Sequence, residues 1–412
     1  MTSAVRNRDN SVENAVSDAV MADLYKPESA HDLHRHYARL REFGPVAATS
    51  DGRLIVTGYR LGNALLRDSR LVKDSGGLLV TAGQPDWKQR PGLRMMYTSM
   101  LMSDGAPHTR LRRLVSGAFG PGRIGALRAR IERMVRDLVD ALPDAGDFMS
   151  GLAFPLPIAV IGDLIGIPPA DNQMFQGLVR EWLYVLEGRY DDATLDRTDA
   201  AATTIHDYLV DLIAERRTAP RDDLVSMLAA PSGDDRLSTE EIIIMAAALV
   251  GAGSETTMGL LGGSLAELLT HQGQLALWPG KPELTRLALD ELARYVTPIQ
   301  MLSAGVFKET VTLADQVLPA NHQILLLLGA TNRDPEMFTE PERLKLDRAE
   351  TPTLAYGAGA HYCLGASLAR MELEIAMPAV FCAFPKLRLT GPPTFRSGFP
   401  MRFYQTVPIS TN

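Results

Sequence analysis

One cysteine in this chain is placed for chemistry. Cys363 lies in "YGAGAHYCLG", which runs from Tyr356 to Gly365, and the chain has only one other cysteine, Cys382. A thiolate that binds a metal needs low proton affinity, backbone donors near the sulfur and room for the ion. The run "LGASLARMELEIA" follows directly and reads as a helix, so the sulfur would sit near a positive dipole end. Gly357, Gly359 and Gly365 allow tight turns and close approach of backbone. Free cysteines are more often small buried hydrophobes. Cys382, in "AVFCAF", fits that description, whereas the context of Cys363 argues for a ligand.

A second cluster lies in "VGAGSETT". Ala252, Glu255 and Thr256 are spaced i, i+3 and i+4, so they share a helix face. Gly251 and Gly253 each cost roughly 1 kcal/mol of helix propensity relative to alanine. Close helix packing beside a solvated Glu-Thr pair would explain them. So would a gap for a flat ligand, with an acid and a hydroxyl placed to deliver protons to bound oxygen. A third pair, Glu291 and Arg294 in "DELARY", stands three apart. Alone it reads as a surface ion pair of little energetic weight.

The elements that must position these residues are mostly helical. Ser238 and Glu241 form a capping box, opening a helix over 239–271 that would be about 50 Å long. "HDLHRHYARLREFG" reads as an amphipathic helix stopped by Gly44. Two further helices flank Gly120-Pro121-Gly122, and others are expected near 169–187, 196–216 and 221–229. Residues 76–100 lack a period and read as a long functional loop. "GRLIVTGY" and the stretch 299–330, with "QILLLL", read as short strands. No internal repeat or low-complexity linker divides the chain. The expectation is a flexible lead-in over 1–20 and a single domain over 21–412.

Composition narrows the class. The 412 residues are 46% hydrophobic and 22% charged, with net charge −7. A nucleic-acid-binding protein would usually be basic. Two cysteines cannot build a disulfide framework or a four-thiolate zinc site, which points to a reducing, cytoplasmic compartment. The N-terminus has no apolar run of signal-peptide length. The long apolar helix carries Glu255 at its middle, which argues against a membrane span.

"YGAGAHYCLG", "AGSETT" and "ELAR", in this order, resemble the motifs of soluble bacterial cytochromes P450, the haem-thiolate monooxygenases. The resemblance covers roughly 30–405 and extends to "MSDGAPHTRLRRLVSGAF", "ATNRDPEMF" and "PERLKLDR". It implies a mainly α fold, a triangular helical prism with small β-sheets, and haem b (iron protoporphyrin IX) as cofactor. Cys363 would be the iron's proximal thiolate. His108, Arg112 and His361 would neutralise the haem carboxylates, with Tyr356, Gly357 and Gly365 shaping the loop. Glu291 and Arg294 would brace the core as a buried pair. Ala252, Gly253, Glu255 and Thr256 would lie over the distal face. There Thr256 would donate a hydrogen bond to the activated dioxygen, and Glu255 would link an ordered water to bulk solvent.

The resemblance also implies a pocket lined by Met95, Met96, Tyr97, Trp182, Met245, Met301 and Phe399. Methionines adapt to irregular apolar shapes, so the expected substrate is a medium-sized apolar or aromatic molecule, with secondary metabolism as its expected setting. Arg94 or Arg402 would meet an acidic substrate group. No flavin or iron–sulfur segment is present, so electrons are expected from a ferredoxin-type donor docking near Arg110 and Arg113. Three positions depart from the pattern. Ala304 stands where the family has a propionate-binding arginine, Tyr356 where it has phenylalanine, and Asn321 where it has glycine. Two other outcomes stay open: the same chemistry ending in coupling, desaturation or ring formation, or a haem sensor without turnover.

Overall fold

The helix Thr239–Thr270 runs through the middle of the molecule. Its start is the expected capping box: Glu241 N–H donates to Ser238 Oγ at 3.1 Å, and Ser238 N–H to Glu241 Oε2 at 2.8 Å. Arg110 clamps the same end, 2.6 Å from Glu241 Oε1. The helix is apolar on nearly every face, as a helix buried all round must be. It is long and apolar enough to cross a membrane, yet 72% of its most apolar window is buried inside the protein.

Against it pack the helices Pro155–Ile165, Asn172–Leu183, Asp192–Thr218, Thr285–Val296 and Ala366–Ala383. Glycines permit the close approach. A Cβ at Gly259 would meet the Phe403 ring at 2.4 Å, one at Gly262 the Met149 sulfur at 2.3 Å, and one at Gly263 Val296 at 2.4 Å. The computed structural model describes residues 11–412 except 189, 231–235, 279–280, 350–351 and 397.

Strands are short and sit to one side of the helices. A five-stranded sheet has the order Val46–Ala48, Leu54–Val56, Ile324–Leu326, Leu302–Phe307, Leu71–Val72. Leu54–Val56 and Ile324–Leu326 are parallel; the other pairs are antiparallel. A second sheet places Pro408–Ser410 between Ala145–Asp147 and Arg388–Leu389. Asn321 holds φ 59, a left-handed conformation that asparagine tolerates, so the departure from glycine leaves that turn intact.

Several expectations need correction. The N-terminal lead-in is shorter than 1–20, because Ser11–Leu24 is a helix whose Val20, Met21 and Leu24 pack against Leu33, Tyr37 and Leu40. Residues 1–10 lie outside the described residues. The stretch 76–100 is not a loop: it contains the helices Ser75–Thr81 and Pro91–Tyr97. The helix Pro155–Ile165 was not anticipated. Its sequence, PLPIAVIGDLI, is apolar almost throughout, so no polar face reveals a helical period. The helix after the Gly-Pro-Gly break starts on Pro121 itself, where proline's missing N–H costs nothing.

Candidate functional site

The cysteine loop is a tight turn closed by backbone. Cys363 N–H donates to Tyr356 O at 2.9 Å, and the 3₁₀ turn Gly359–His361 leads into it. Gly357 and Gly359 hold φ of 68° and 64°, where a side chain is strained. Gly359 is also constrained by contact, because a Cβ there would lie 2.1 Å from Leu66 O. Gly365 differs. It has no positive φ, and a Cβ would meet no protein atom within 4 Å.

Cys363 is exposed, as are Gly359, Ala360 and Tyr362 in the same loop; Cys382, expected to be buried, is exposed as well. Ala252 is exposed in the central helix, although its neighbour Gly251 and Ser254 two residues on are buried. A flat group held in a groove between the thiol and the middle of the central helix would meet accessible atoms on both sides. Protein packed around the rest of the sulfur pushes the Cys363 thiol up, while the Gly365 N–H, Arg112 and Arg370 pull it down. Burial outweighs the helix start that the sequence suggested. A bound metal reverses this, since a coordinating thiol is deprotonated outright.

The expected carboxylate partners gather beside the loop. The His108 and His361 rings lie with centroids 4.1 Å apart, tilted by 39°, and Arg112 Nη2 donates to Tyr362 O at 2.6 Å. Burial, followed by the charges of Lys73 and His108, pushes His361 down to about 4. Burial and Arg112 push His108 down as well. His108 Nε2 is buried with no hydrogen-bond partner among the described residues. A nitrogen buried and unsatisfied in this way fits an anion that would supply the missing acceptor, whereas His361 Nε2 already lies 3.3 Å from Asp104 Oδ1. The residues present therefore fit haem, through one thiol and a cationic corner for its carboxylates. Tyr356 is buried with an unpartnered hydroxyl and with the Arg370 guanidinium 4.1 Å over its ring; burial pushes it up.

On the central helix the picture is mixed. Thr256 Oγ1 donates to Ala252 O at 2.6 Å, a back-bond that loosens the local helix. Its proton is committed to that carbonyl, so in this rotamer the hydroxyl offers the groove an acceptor. Gly251 and Gly253 are explained by packing. A Cβ at Gly251 would reach Leu183 at 3.3 Å, and one at Gly253 would reach Ile161 at 3.1 Å. Glu255 does not open directly to solvent. It is buried, with Arg396 Nη1 3.0 Å from Oε2 and Arg180 Nε 3.5 Å from Oε1.

Glu291 and Arg294 are buried and doubly bonded, at 2.6 and 2.9 Å. A third member was missed. Arg348 Nε donates to Glu291 Oε2 at 2.9 Å, and Lys345 N–H to Oε1 at 2.8 Å. Arg348 ends the segment "PERLKLDR", so the signal was present in the sequence. Arg294 also donates to the carbonyls of Asn332, Pro341 and Arg343. The triad therefore ties the segment before the cysteine loop to the helical body.

The residues expected to line a pocket fall into two groups. Met95, Met96, Trp182 and Met245 are buried in the main core, and Tyr97 packs against it. The Trp182 indole donates to Gly92 O at 3.0 Å, and the Tyr97 hydroxyl lies 2.9 Å from that of Tyr190. Met301 and Phe399 do not join them. Both pack with Val20, Leu24 and Tyr37 under the N-terminal helices, and Phe399 meets the Tyr25 ring edge-on at 5.3 Å. Arg402 is turned to Ala30 O at 2.9 Å, and Arg94 is exposed. Arg110 is engaged by the central helix and by Arg236 O, so it is not presented for docking. Arg113 is exposed.

The family model "Cytochrome P450" matches residues 281–398. Cytochrome P450 107B1 of Saccharopolyspora erythraea is 37% identical over 92% of this chain and 95% of its own length. The 6-deoxyerythronolide B hydroxylase of the same organism is 34% identical over 89% of this chain and 92% of its own. The solved structure of P450BioI in complex with hexadec-9Z-enoic acid ligated acyl carrier protein superposes with TM-score 0.87 at 30% identity, covering 93% of this chain and 99% of that one. The chain belongs to the cytochrome P450 family. It is a haem-thiolate monooxygenase of the bacterial type, a class that binds haem b, small-molecule substrates and redox partners.

Proposed function

We propose that this protein inserts one atom of dioxygen into a medium-sized apolar or aromatic molecule of secondary metabolism, using electrons from a ferredoxin and its reductase. Haem, when bound, supplies the reductive activation of dioxygen, its cysteine ligand pushing electron density to favour O–O cleavage. Cys363 would hold the iron; His108, Arg112 and His361 would hold the carboxylates. One observation carries the reading: Cys363 and Ala252 are both accessible, and the Thr256 hydroxyl stands one turn beyond Ala252.

Thr256 holds a proton at Oγ1. Rotation about its side-chain bond turns that donor from Ala252 O toward the groove. Glu255 lies beside it, held by Arg396 and Arg180, and would link the site to solvent. Met95, Met96, Trp182 and Met245 give the core an apolar, adaptable character. The names of relatives that hydroxylate 6-deoxyerythronolide B or serve polyketide biosynthesis support a secondary metabolite as substrate.

The reading is tested by screening a substrate library for a spin-state shift, then running turnover with isotopically labelled dioxygen and a surrogate ferredoxin pair. Label in the product is the expected result. An unlabelled coupled or desaturated product would replace insertion with oxidative coupling. Failure to consume reducing equivalents with any ligand that binds would favour a sensor.

A further inference from the structure

The resemblance expects an arginine at position 304, and this chain has alanine. Ala304 is buried at a bulge in the strand Leu302–Phe307, where Ser303 pairs with Leu325 and Gly305 with Ile324. On the other edge of that strand, Val72 pairs with Val306 and Leu71 with Phe307. One further step along this antiparallel register sets Lys73 beside Gly305, next to Ala304. The approach is close. A Cβ at Gly305, whose φ is 130°, would lie 2.2 Å from Val72 O and 3.3 Å from Lys73 N.

Lys73 is tied to the same corner as the histidines. Its backbone N–H donates to Asp104 Oδ2 at 2.5 Å, and His361 Nε2 lies 3.3 Å from Asp104 Oδ1. Asp104 precedes the helix Gly105–Ser116, which carries His108 and Arg112. The Lys73 charge reaches both imidazoles and opposes their protonation. Burial pushes the Lys73 ammonium down, with Asp104 only partly opposing it. Among the described residues this ammonium makes no ion pair within 4 Å. Asp104 is the carboxylate that acts on Lys73 and both histidines, and it is already occupied by the Lys73 N–H and His361. A partly buried cation without a counter-ion is costly, and here it stands beside His108, whose unsatisfied Nε2 already calls for an acceptor.

We propose that Lys73 supplies the cation for the haem carboxylate that Ala304 leaves unmatched, the charge having moved across one strand pair. This rests on the reading of His108, Arg112 and His361 as carboxylate partners. It accounts for the arginine's absence without a loss of cofactor binding. A salt-bridged carboxylate also shields the iron from an uncompensated negative charge, so the cation raises the reduction potential.

The experiment uses the full-length holoprotein. It measures the rate of haem transfer to an excess of haem-scavenging apoglobin and the ferric/ferrous midpoint potential, and it follows thermal unfolding of the apoprotein. Lys73→Met should release haem about tenfold faster, as loss of one charge-assisted hydrogen bond implies. It should also lower the potential and leave apoprotein unfolding unchanged. Adding Ala304→Arg to Lys73→Met should restore both holoprotein readouts. Lys308→Met, which removes a nearby cation paired with exposed Asp74, should change none of them. If Lys73→Met releases haem at the wild-type rate while His108→Phe releases it faster, the assignment of Lys73 is wrong and the carboxylate corner stands. If neither variant releases haem faster, the corner itself is misread. Destabilisation of the apoprotein by Lys73→Met, without rescue by Ala304→Arg, would make Lys73 a structural partner of Asp104 and overturn the proposal.

Discussion

Arg396 donates to the buried carboxylate of Glu255 at 3.0 Å across 141 residues of chain. The same guanidinium lies 3.6 Å from Glu187, and Arg180 approaches Glu255 from the helix Asn172–Leu183. One carboxylate on the central helix therefore binds both the segment that follows the strand Thr394–Phe395 and the helix Asn172–Leu183. Arg396→Leu leaves Glu255 with Arg180 alone. The expected destabilisation is below the ~3–5 kcal/mol of a fully orphaned buried charge. Glu255→Gln combined with Arg396→Leu should recover part of the loss, because Glu255 then carries no charge for Arg396 to neutralise, although Glu187 still loses that partner. Urea unfolding of the four proteins checks this, and strict additivity would show that the two residues are not coupled.

Thr256→Ala should continue to consume reducing equivalents while product per electron pair falls about tenfold, within the range expected for a lost proton-transfer group. The difference should emerge as peroxide. Thr256→Ser keeps the hydroxyl and should stay close to wild type. Peroxide and product measured against NADH consumed give the answer. Unchanged coupling in the alanine variant would remove Thr256 from proton delivery.

Glu291 accepts from Arg294, Arg348 and the Lys345 N–H. Glu291→Gln would strand two buried guanidiniums, each short of its counter-ion. Arg348→Gln strands none, because Arg294 still neutralises the acid. The glutamate substitution should therefore cost more, on the order of 3–5 kcal/mol or a failure to fold, and the arginine substitution clearly less. Thermal melting and soluble yield distinguish the two. Equal losses would mean that Arg348 and Arg294 do not share one carboxylate.

Glu372 is buried in the helix that follows the cysteine, with Oε2 unpartnered among the described residues. Burial pushes its carboxyl well above the ordinary 4.5. Folded Glu372 thus keeps its proton after the unfolded chain has lost its own. The unfolded state then binds fewer protons, so stability falls as pH rises from about 4.5 toward the raised value. Glu372→Gln should flatten this slope and melt higher than wild type at pH 8, with little difference at pH 4.5. A parallel pH dependence in both proteins would show that Glu372 is not held protonated.

Local signals in the sequence accounted for much of the site. The glycines before Cys363 and the capping box at Ser238 marked the turn and the helix start. These depend on dihedral preferences and hydrogen bonds within a few residues. Gly251 and Gly253 misled. Their composition suited a gap for a ligand, but Leu183 and Ile161 fill the space beside them. Met301 and Phe399 misled for a related reason: an apolar residue announces burial but not the cluster that buries it.

By itself the sequence determined that a cysteine would sit in a glycine turn ahead of a helix, and that a long apolar helix would carry an acid and a threonine at its middle. Helix period, caps and turns are short-range physics and can be read along the chain. Tertiary structure decided which charges meet: Glu255 with Arg396 and Arg180, Glu291 with Arg348, and Lys73 beside Ala304. Those encounters depend on how distant segments are brought together and on which groups lose water when they arrive. Neither is a property of any local stretch of residues.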